Sequence, residues 1–250
     1  MNTLDNNFFE KQKKTIQLSM KQDTVSLYLV NLNKAKKSYT KLFNTLTKEE
    51  QNHADSYIVT KAKEQFVISQ GILRHLLSIY LEIPPQELLI YKNTHGKPHI
   101  YNKDGVEFFF NKSHSGDFAF YGFTYINSIG VDIEQKREIE NLDLVMDKVF
   151  SQKELLRFSK LSLEEKNNLF FKYWSCKESY IKAIGLGLYK DPKCIDFYIS
   201  EKKNLARILF VDKERTQSYI KVRLLNPVTN YTAAFCLLGH CKNISFFNLN

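Results

Sequence analysis

Two long helical stripes, each preceded by a capped helix start and bracketed by strand-like runs, limit this chain to an architecture in which a similar order of elements occurs twice. Val25 to Leu32 (VSLYLVNL) alternates and is rich in β-branched and aromatic residues, the pattern of a strand. Thr47-Lys-Glu-Glu50 is a capping box that opens a short helix. A longer helix is expected from about Lys61 to Leu81, stopped by Pro84-Pro85. Along it Ala62, Phe66, Leu73, Leu76, Leu77 and Tyr80 recur at helical spacing, with Ser69 the small polar member of the stripe, which gives one buried face. Val106 to Tyr125 reads as two strands joined by a polar turn at Lys112 to Gly116. The order then recurs. Ser128 to Glu134 is strand-like, Ser151-Gln-Lys-Glu154 and Ser162-Leu-Glu-Glu165 are two more capping boxes, and Leu169 to Ala183 is a strongly apolar helix. Three strand-like runs follow, Cys194 to Ser200, Ser218 to Leu225 and Tyr231 to Leu238. The expectation is an α+β protein of two related α/β halves that meet near residue 127, each a small antiparallel sheet packed with a long helix, after a polar extension over residues 1–20. A ligand is expected where the halves, residues 21–127 and 128–250, come together.

Composition excludes several classes. No stretch approaches the roughly 18 uninterrupted apolar residues of a membrane span. The opening residues carry no continuous apolar block with a small-residue cleavage site, so a secretory signal is not expected. The four cysteines, Cys176, Cys194, Cys236 and Cys241, show no CxxC spacing and no zinc-type pairing with histidine, which points to a reduced, cytoplasmic setting. A formal charge of +9 favours an anionic partner: nucleic acid, a phosphorylated cofactor or an acidic protein. A lysine-rich solvated surface would give the same number. The lysines are scattered, with no helix-turn-helix, zinc-finger or RNP-like signature to organise them, which argues against nucleic acid.

Chemistry concentrates in three places. In Gly130-Val-Asp-Ile-Glu134, strand alternation puts Asp132 and Glu134 on one face, opposite Ile129, Val131 and Ile133. Two such neighbouring carboxylates repel unless a cation or proton lies between them, and an oxygen-only pair suits a hard ion such as Mg²⁺. On its own the pair is more commonly an exposed polar strand face. On the second long helix Trp174, Glu178 and Lys182 share a face, while Lys177 and Glu178 sit amid large apolar groups and should meet either solvent or a charged site. A surface pair of Glu178 with Lys182 is the commoner explanation of that spacing, but it gives no reason for the tryptophan beside it. The third place is Phe110-Asn-Lys-Ser-His-Ser-Gly-Asp117, which can offer donors to phosphate oxygens or, as the plainer alternative, close a hairpin by bonding its own backbone. Without a GxSxG elbow it does not read as a serine hydrolase. Gly185, after the helix, reads as a left-handed cap.

Taken together, FNKSHS (Phe110 to Ser115), GVDIE (Gly130 to Glu134) and WSCKESYIKAIGLGL (Trp174 to Leu188) closely resemble, in order and spacing, the three signatures of Sfp-type 4′-phosphopantetheinyl transferases. Gly96-Lys97-Pro98 is similar to the family's GKP element, and Gln65 to Arg74 resembles its RFxxxRxxLR helix. The resemblance covers about residues 46–200.

It implies a pseudo-twofold monomer with coenzyme A in the cleft between the halves, transferring phosphopantetheine to a serine of an apo acyl or peptidyl carrier protein with Mg²⁺. By position Asp132, Glu134 and Glu178 resemble the metal ligands. Lys182 resembles the partner of the diphosphate and His114 a contact to the nucleotide phosphates, with Lys97, Pro98, Ser113 and Lys177 also lining the cofactor site, and Glu178 is expected to take the proton from the carrier serine. Gln65 and Gln70 stand where the family has arginines, Lys112 replaces an apolar residue, and His53 to Tyr57 lacks the customary basic run. Lys61, Lys63 or Arg74 is expected to supply the missing charge. The carrier is expected near Leu142 to Phe150. A magnesium-dependent phosphodiesterase and a non-catalytic coenzyme A or nucleotide binder are the rival readings. Neither partner set includes nucleic acid or membrane.

Overall fold

The first strand, β1 (Thr24–Asn31), is covered on both faces: Ser26, Tyr28 and Val30 are buried as fully as the alternate residues Val25, Leu27 and Leu29. The computed structural model describes residues 23–187, 190–200, 205–211, 214–215 and 220–249. The expected extension over residues 1–20, Leu188, and Ser218 at the start of one expected strand lie outside these.

After β1 come the short helices α1 (Leu32–Ala35), α2 (Tyr39–Phe43) and α3 (Lys48–Asp55), then the long helix α4 (Thr60–Leu81). Strands β2 (Tyr91–Lys92), β3 (Pro98–Tyr101), β4 (Glu107–Ser115), β5 (Phe118–Thr124) and β6 (Ile129–Gln135) follow. The second half continues with α5 (Leu142–Val149), α6 (Gln152–Phe158) and the long α7 (Leu163–Ile184). Strands β7 (Ile195–Ser200), β8 (Leu205–Val211), β9 (Glu214–Arg215), β10 (Lys221–Leu225), β11 (Tyr231–Leu237) and β12 (Asn243–Leu249) complete the described α-helices and strands. All three capping boxes read from the sequence form, at Thr47, Ser151 and Ser162. Gly185 caps α7 in the left-handed region, at φ 72°.

These elements make two sheets, ordered β12-β1-β5-β4-β3-β2 and β6-β11-β10-β8-β7, with β9 beside β8. One side of the first sheet packs Tyr28, Val30, Phe108, Phe110 and Tyr121 under Ile72, Leu76 and Leu77 of α4. The matching side of the second sheet packs Ala206, Val222, Ala234 and Cys236 against Phe170, Tyr173 and Ile181 of α7. Between the sheets Leu27, Leu29 and Phe120 meet Ile129, Val131, Ile133, Ala233 and Phe235. The layers therefore run helix, sheet, sheet, helix, and both sheets are covered on both sides.

The described structure departs from the sequence reading in two ways that matter to the site. The expected polar turn at Lys112 to Gly116 is strand as far as Ser115, paired with β5 from Phe109↔Thr124 to Ser115↔Phe118, and only Gly116 and Asp117 turn. Its polar residues stay in the ladder because Ser113 and Ser115 find carboxylate acceptors on β6. The second departure is β12, which pairs with β1 in parallel and returns the end of the chain to the first sheet, whereas the other pairings of that sheet are antiparallel. Division of the sequence at residue 127 and division of the sheets thus differ by this strand.

Candidate active site

Gly130 sets the distance between β6 and α7. A Cβ built on it would lie 2.0 Å from the Ser179 carbonyl oxygen and 2.4 Å from the Ala183 nitrogen, so only glycine lets the helix backbone lie this close. The approach brings Asp132 and Glu134 of β6 up to Glu178 and Lys182 of α7, while Ile129, Val131 and Ile133 fill the inter-sheet core.

Asp132 is buried, at 2% exposure. Its Oδ1 accepts from Lys182 Nζ at 2.7 Å and from Ser113 Oγ at 2.9 Å, and among the described residues its Oδ2 is a buried oxygen without a partner. Glu134 accepts from Ser115 Oγ at 2.9 Å and from the Trp174 indole N–H at 3.0 Å, which supplies the reason for the tryptophan on this face. Glu178, half-buried, is raised above the usual carboxylate range by desolvation; Lys182 opposes this, and Asp132 and Glu134 add to it. Glu134 is raised by desolvation and then by Asp132. The three carboxylates are therefore close enough to repel one another.

The oxygen-only donors, the orphaned Asp132 Oδ2 and this mutual repulsion fit a hard divalent cation. Among the described residues no three such side chains are drawn together tightly enough to enclose an ion as they stand. Lys182 holds Asp132 Oδ1 instead.

Beside the carboxylates is a cleft of 190 Å³ lined by His95, Gly96, Lys97, Pro98, Asn111, Lys112, Lys182, Gly185 and Gly187. Lys97 bridges its walls. Its ammonium donates to the Ser128 hydroxyl and to the carbonyls of Ile129 (3.1 Å) and Ala183 (2.8 Å). Desolvation lowers its pKa to about 8. Asn93, in the same loop, donates to the Gly185 carbonyl at 3.3 Å, so the turn before β3 is tied to the end of α7. His114 projects from β4, lowered by partial desolvation and by the ammoniums of Lys112 and Lys182. A second cleft of 360 Å³ opens on the other side of Glu134, lined by Arg137, Glu138, Ile139, Val145, Phe170 and Trp174 among others.

Two expected cofactor ligands are corrected. Lys177 is fully buried in an ion pair with Glu154 at 2.8 Å and donates to the carbonyls of Pro192 (2.7 Å) and Ile195. Its charge is met by the core on the side of α7 away from the cleft. Arg74, at 2% exposure, clamps Glu50 through Nε (2.6 Å) and Nη2 (3.0 Å) and donates to the Pro85 carbonyl at 2.7 Å, so its fork is spent on structure. Lys61 stands exposed in the first turn of α4 and is not among the residues lining the lysine cleft; Lys63 pairs with Asp55 at 2.8 Å. Sequence reasoning missed Lys112, Ser115 and Asn111, whose side chain accepts from the Val131 N–H at 2.9 Å and joins β4 to β6. Strand alternation applied to FNKSHS would have separated the serines from Lys112 and His114.

Lysines around a cleft beside clustered carboxylates suit a substrate that carries negative charge. Two family profiles match the chain: "4′-phosphopantetheinyl transferase, N-terminal" over residues 32–122 and "4′-phosphopantetheinyl transferase superfamily" over residues 128–236. The 4′-phosphopantetheinyl transferase HetI of a Nostoc species is 31% identical over 69% of this chain and 73% of its own length. The 4′-phosphopantetheinyl transferase gsp of Aneurinibacillus migulanus is 28% identical over 83% of this chain and 79% of its own. The L-aminoadipate-semialdehyde dehydrogenase-phosphopantetheinyl transferase of Xenopus laevis is 28% identical over 61% and 53%. The chain belongs to the 4′-phosphopantetheinyl transferase family. It is an enzyme that moves phosphopantetheine from coenzyme A to a carrier protein. Among the described residues no helix is long and apolar enough to cross a membrane.

Proposed function

We propose that Asp132, Glu134 and Glu178 hold Mg²⁺ and that the acceptor is a carrier-protein serine. The reading is supported chiefly by the buried Oδ2 of Asp132, unpartnered among the described residues, beside Glu134 and Glu178, each raised by desolvation and further by the Asp132 charge. When bound, the ion would neutralise the diphosphate oxygens of coenzyme A, the dominant requirement of phosphoryl transfer.

The chain's own groups do the rest. Glu178 takes the proton as the serine oxygen bonds to the β-phosphorus of coenzyme A. The bond between that phosphorus and the bridging oxygen breaks, and adenosine 3′,5′-bisphosphate leaves with the electron pair. Lys182 leaves Asp132 Oδ1 for the diphosphate, which keeps an ammonium at the developing charge. His114 and Lys97 face the nucleotide phosphates, and Ser113 and Ser115 fix the rotamers of Asp132 and Glu134. The carrier approaches from the 360 Å³ cleft, whose wall includes Val145 of α5 and which ends on Glu134.

Trp174 is the sole tryptophan and its indole donates to Glu134, so it reports on that carboxylate directly. Adding Mg²⁺ to the enzyme with coenzyme A should change its emission, and Glu134→Gln should remove the Mg²⁺-dependent part. An emission indifferent to Mg²⁺ over millimolar concentrations would contradict the metal assignment.

A further inference from the structure

Strand β4 separates two charged regions. Ser113 and Ser115 point to the carboxylates of β6, while Lys112 and His114 alternate onto the side that faces α4. Lys112 lines the lysine cleft, and its ammonium ends on the Gln70 side-chain oxygen at 2.5 Å, over the Phe66 ring at 5.7 Å. The carboxylate beyond Gln70 is already engaged. Glu50 accepts from Arg74 Nε and Nη2, from the Thr47 N–H, and from Gln70 Nε2 at 2.8 Å. Among the described residues Lys112 thus holds a positive charge against a neutral amide, and Lys97 likewise meets a hydroxyl and two carbonyls and no carboxylate. Desolvation of the Lys112 ammonium is the larger influence on it, only partly opposed by Glu50. A desolvated cation without a carboxylate of its own is an anion site waiting for its anion.

The donor offers two separate anionic groups, the diphosphate on the ribose 5′ position and a monoester on the 3′ position. The carboxylates and Lys182 on one side of β4 suit the diphosphate. We propose that Lys112 exchanges Gln70 for the 3′-phosphate of coenzyme A, and so is the residue by which this enzyme prefers coenzyme A to its dephosphorylated form. The inference rests on the coenzyme A reading of the same cleft.

The test compares binding of adenosine 3′,5′-bisphosphate and adenosine 5′-monophosphate by calorimetry, in the parent and in Lys112→Met and Lys112→Arg. A charge-assisted contact predicts that Lys112→Met weakens the bisphosphate by about 10- to 100-fold while leaving the monophosphate unchanged, with Lys112→Arg restoring most of the difference. Equal weakening of both nucleotides, or no weakening of either, would overturn the role of Lys112. Transfer from coenzyme A and from dephospho-coenzyme A is measured alongside. Nucleotide binding that discriminates through Lys112 without any transfer would uphold this inference and sink the transferase reading; transfer with no discrimination would do the reverse.

Discussion

Substituting Gly130 by alanine should disable the enzyme from a position that touches no substrate. The added methyl carbon would sit 2.0 Å from the Ser179 carbonyl oxygen, 2.4 Å from the Ala183 nitrogen and 3.0 Å from the Lys182 carbonyl carbon. Ordinary contact begins near 3.4 Å, so α7 must withdraw from β6 by about 1.4 Å, because the opposing atoms are helix backbone. Glu178 and Lys182 ride on the same turns and withdraw from Asp132 and Glu134 with it. Overpacking of this kind costs about 1 to 3 kcal/mol, which for a chain of this size lowers Tm by about 2 to 12 °C. Misplacing reacting groups by about 1 Å costs on the order of 10²-fold in rate. Thermal melts and carrier-modification rates on the same preparation measure both. Gly122→Ala is the control: its Cβ meets the tips of the Val131 and Ile129 side chains, at 2.6 and 2.9 Å, rather than the backbone of α7. It should lose stability yet retain more turnover than Gly130→Ala. Near-parental Tm and rate for Gly130→Ala would refute the close approach as the device that assembles the site.

Three further outcomes are expected. Lys177→Met leaves the Glu154 carboxylate buried without its ammonium and should lower unfolding stability by about 3 to 5 kcal/mol, with Glu154→Gln in the same chain recovering part, as read by urea denaturation. Equal stability of Lys177→Met and parent would count against the buried pair. Lys112, depressed to about 8 from an ordinary 10.5, is charged in both states below pH 8, where the folded state bears the full penalty. From pH 8 towards 10.5 the unfolded chain binds more protons, so this residue's contribution to stability rises by up to about 1.4 kcal/mol per pH unit. The advantage of Lys112→Met over parent in urea should therefore shrink between pH 7.5 and 9.5; a constant gap would contradict the desolvated ammonium. Glu178→Gln should lower turnover by about 10²- to 10⁴-fold if it takes the serine proton, and a near-parental single-turnover rate would remove that role.

Much of this was legible in the sequence, for local reasons. Capping boxes at Thr47, Ser151 and Ser162 are written in four residues each, and the alternation along β6 sets Asp132 and Glu134 apart from Ile129, Val131 and Ile133 in the inter-sheet core. What escaped depended on partners far along the chain. Lys177 and Glu178 are neighbours in sequence, yet one meets Glu154 in the core and the other the cleft, and spacing along α7 alone did not say which. Arg74 was read as free charge because Glu50, 24 residues earlier, is joined to it only by the fold. The polar run Lys112 to Ser115 resembled a turn because the carboxylates that satisfy its serines lie on another strand. The parallel pairing of β12 with β1 joins the two ends of the described chain and leaves no local mark.

The most direct test of the central claim is the intact mass of an apo carrier protein after incubation with this enzyme, coenzyme A and Mg²⁺, with chelator and Glu178→Gln as controls. The account predicts a gain of one phosphopantetheine on a serine, lost with the chelator and strongly slowed in the variant. An unchanged mass across acyl and peptidyl carriers would contradict transfer, and a gain that survives the chelator would contradict the metal held by Asp132, Glu134 and Glu178.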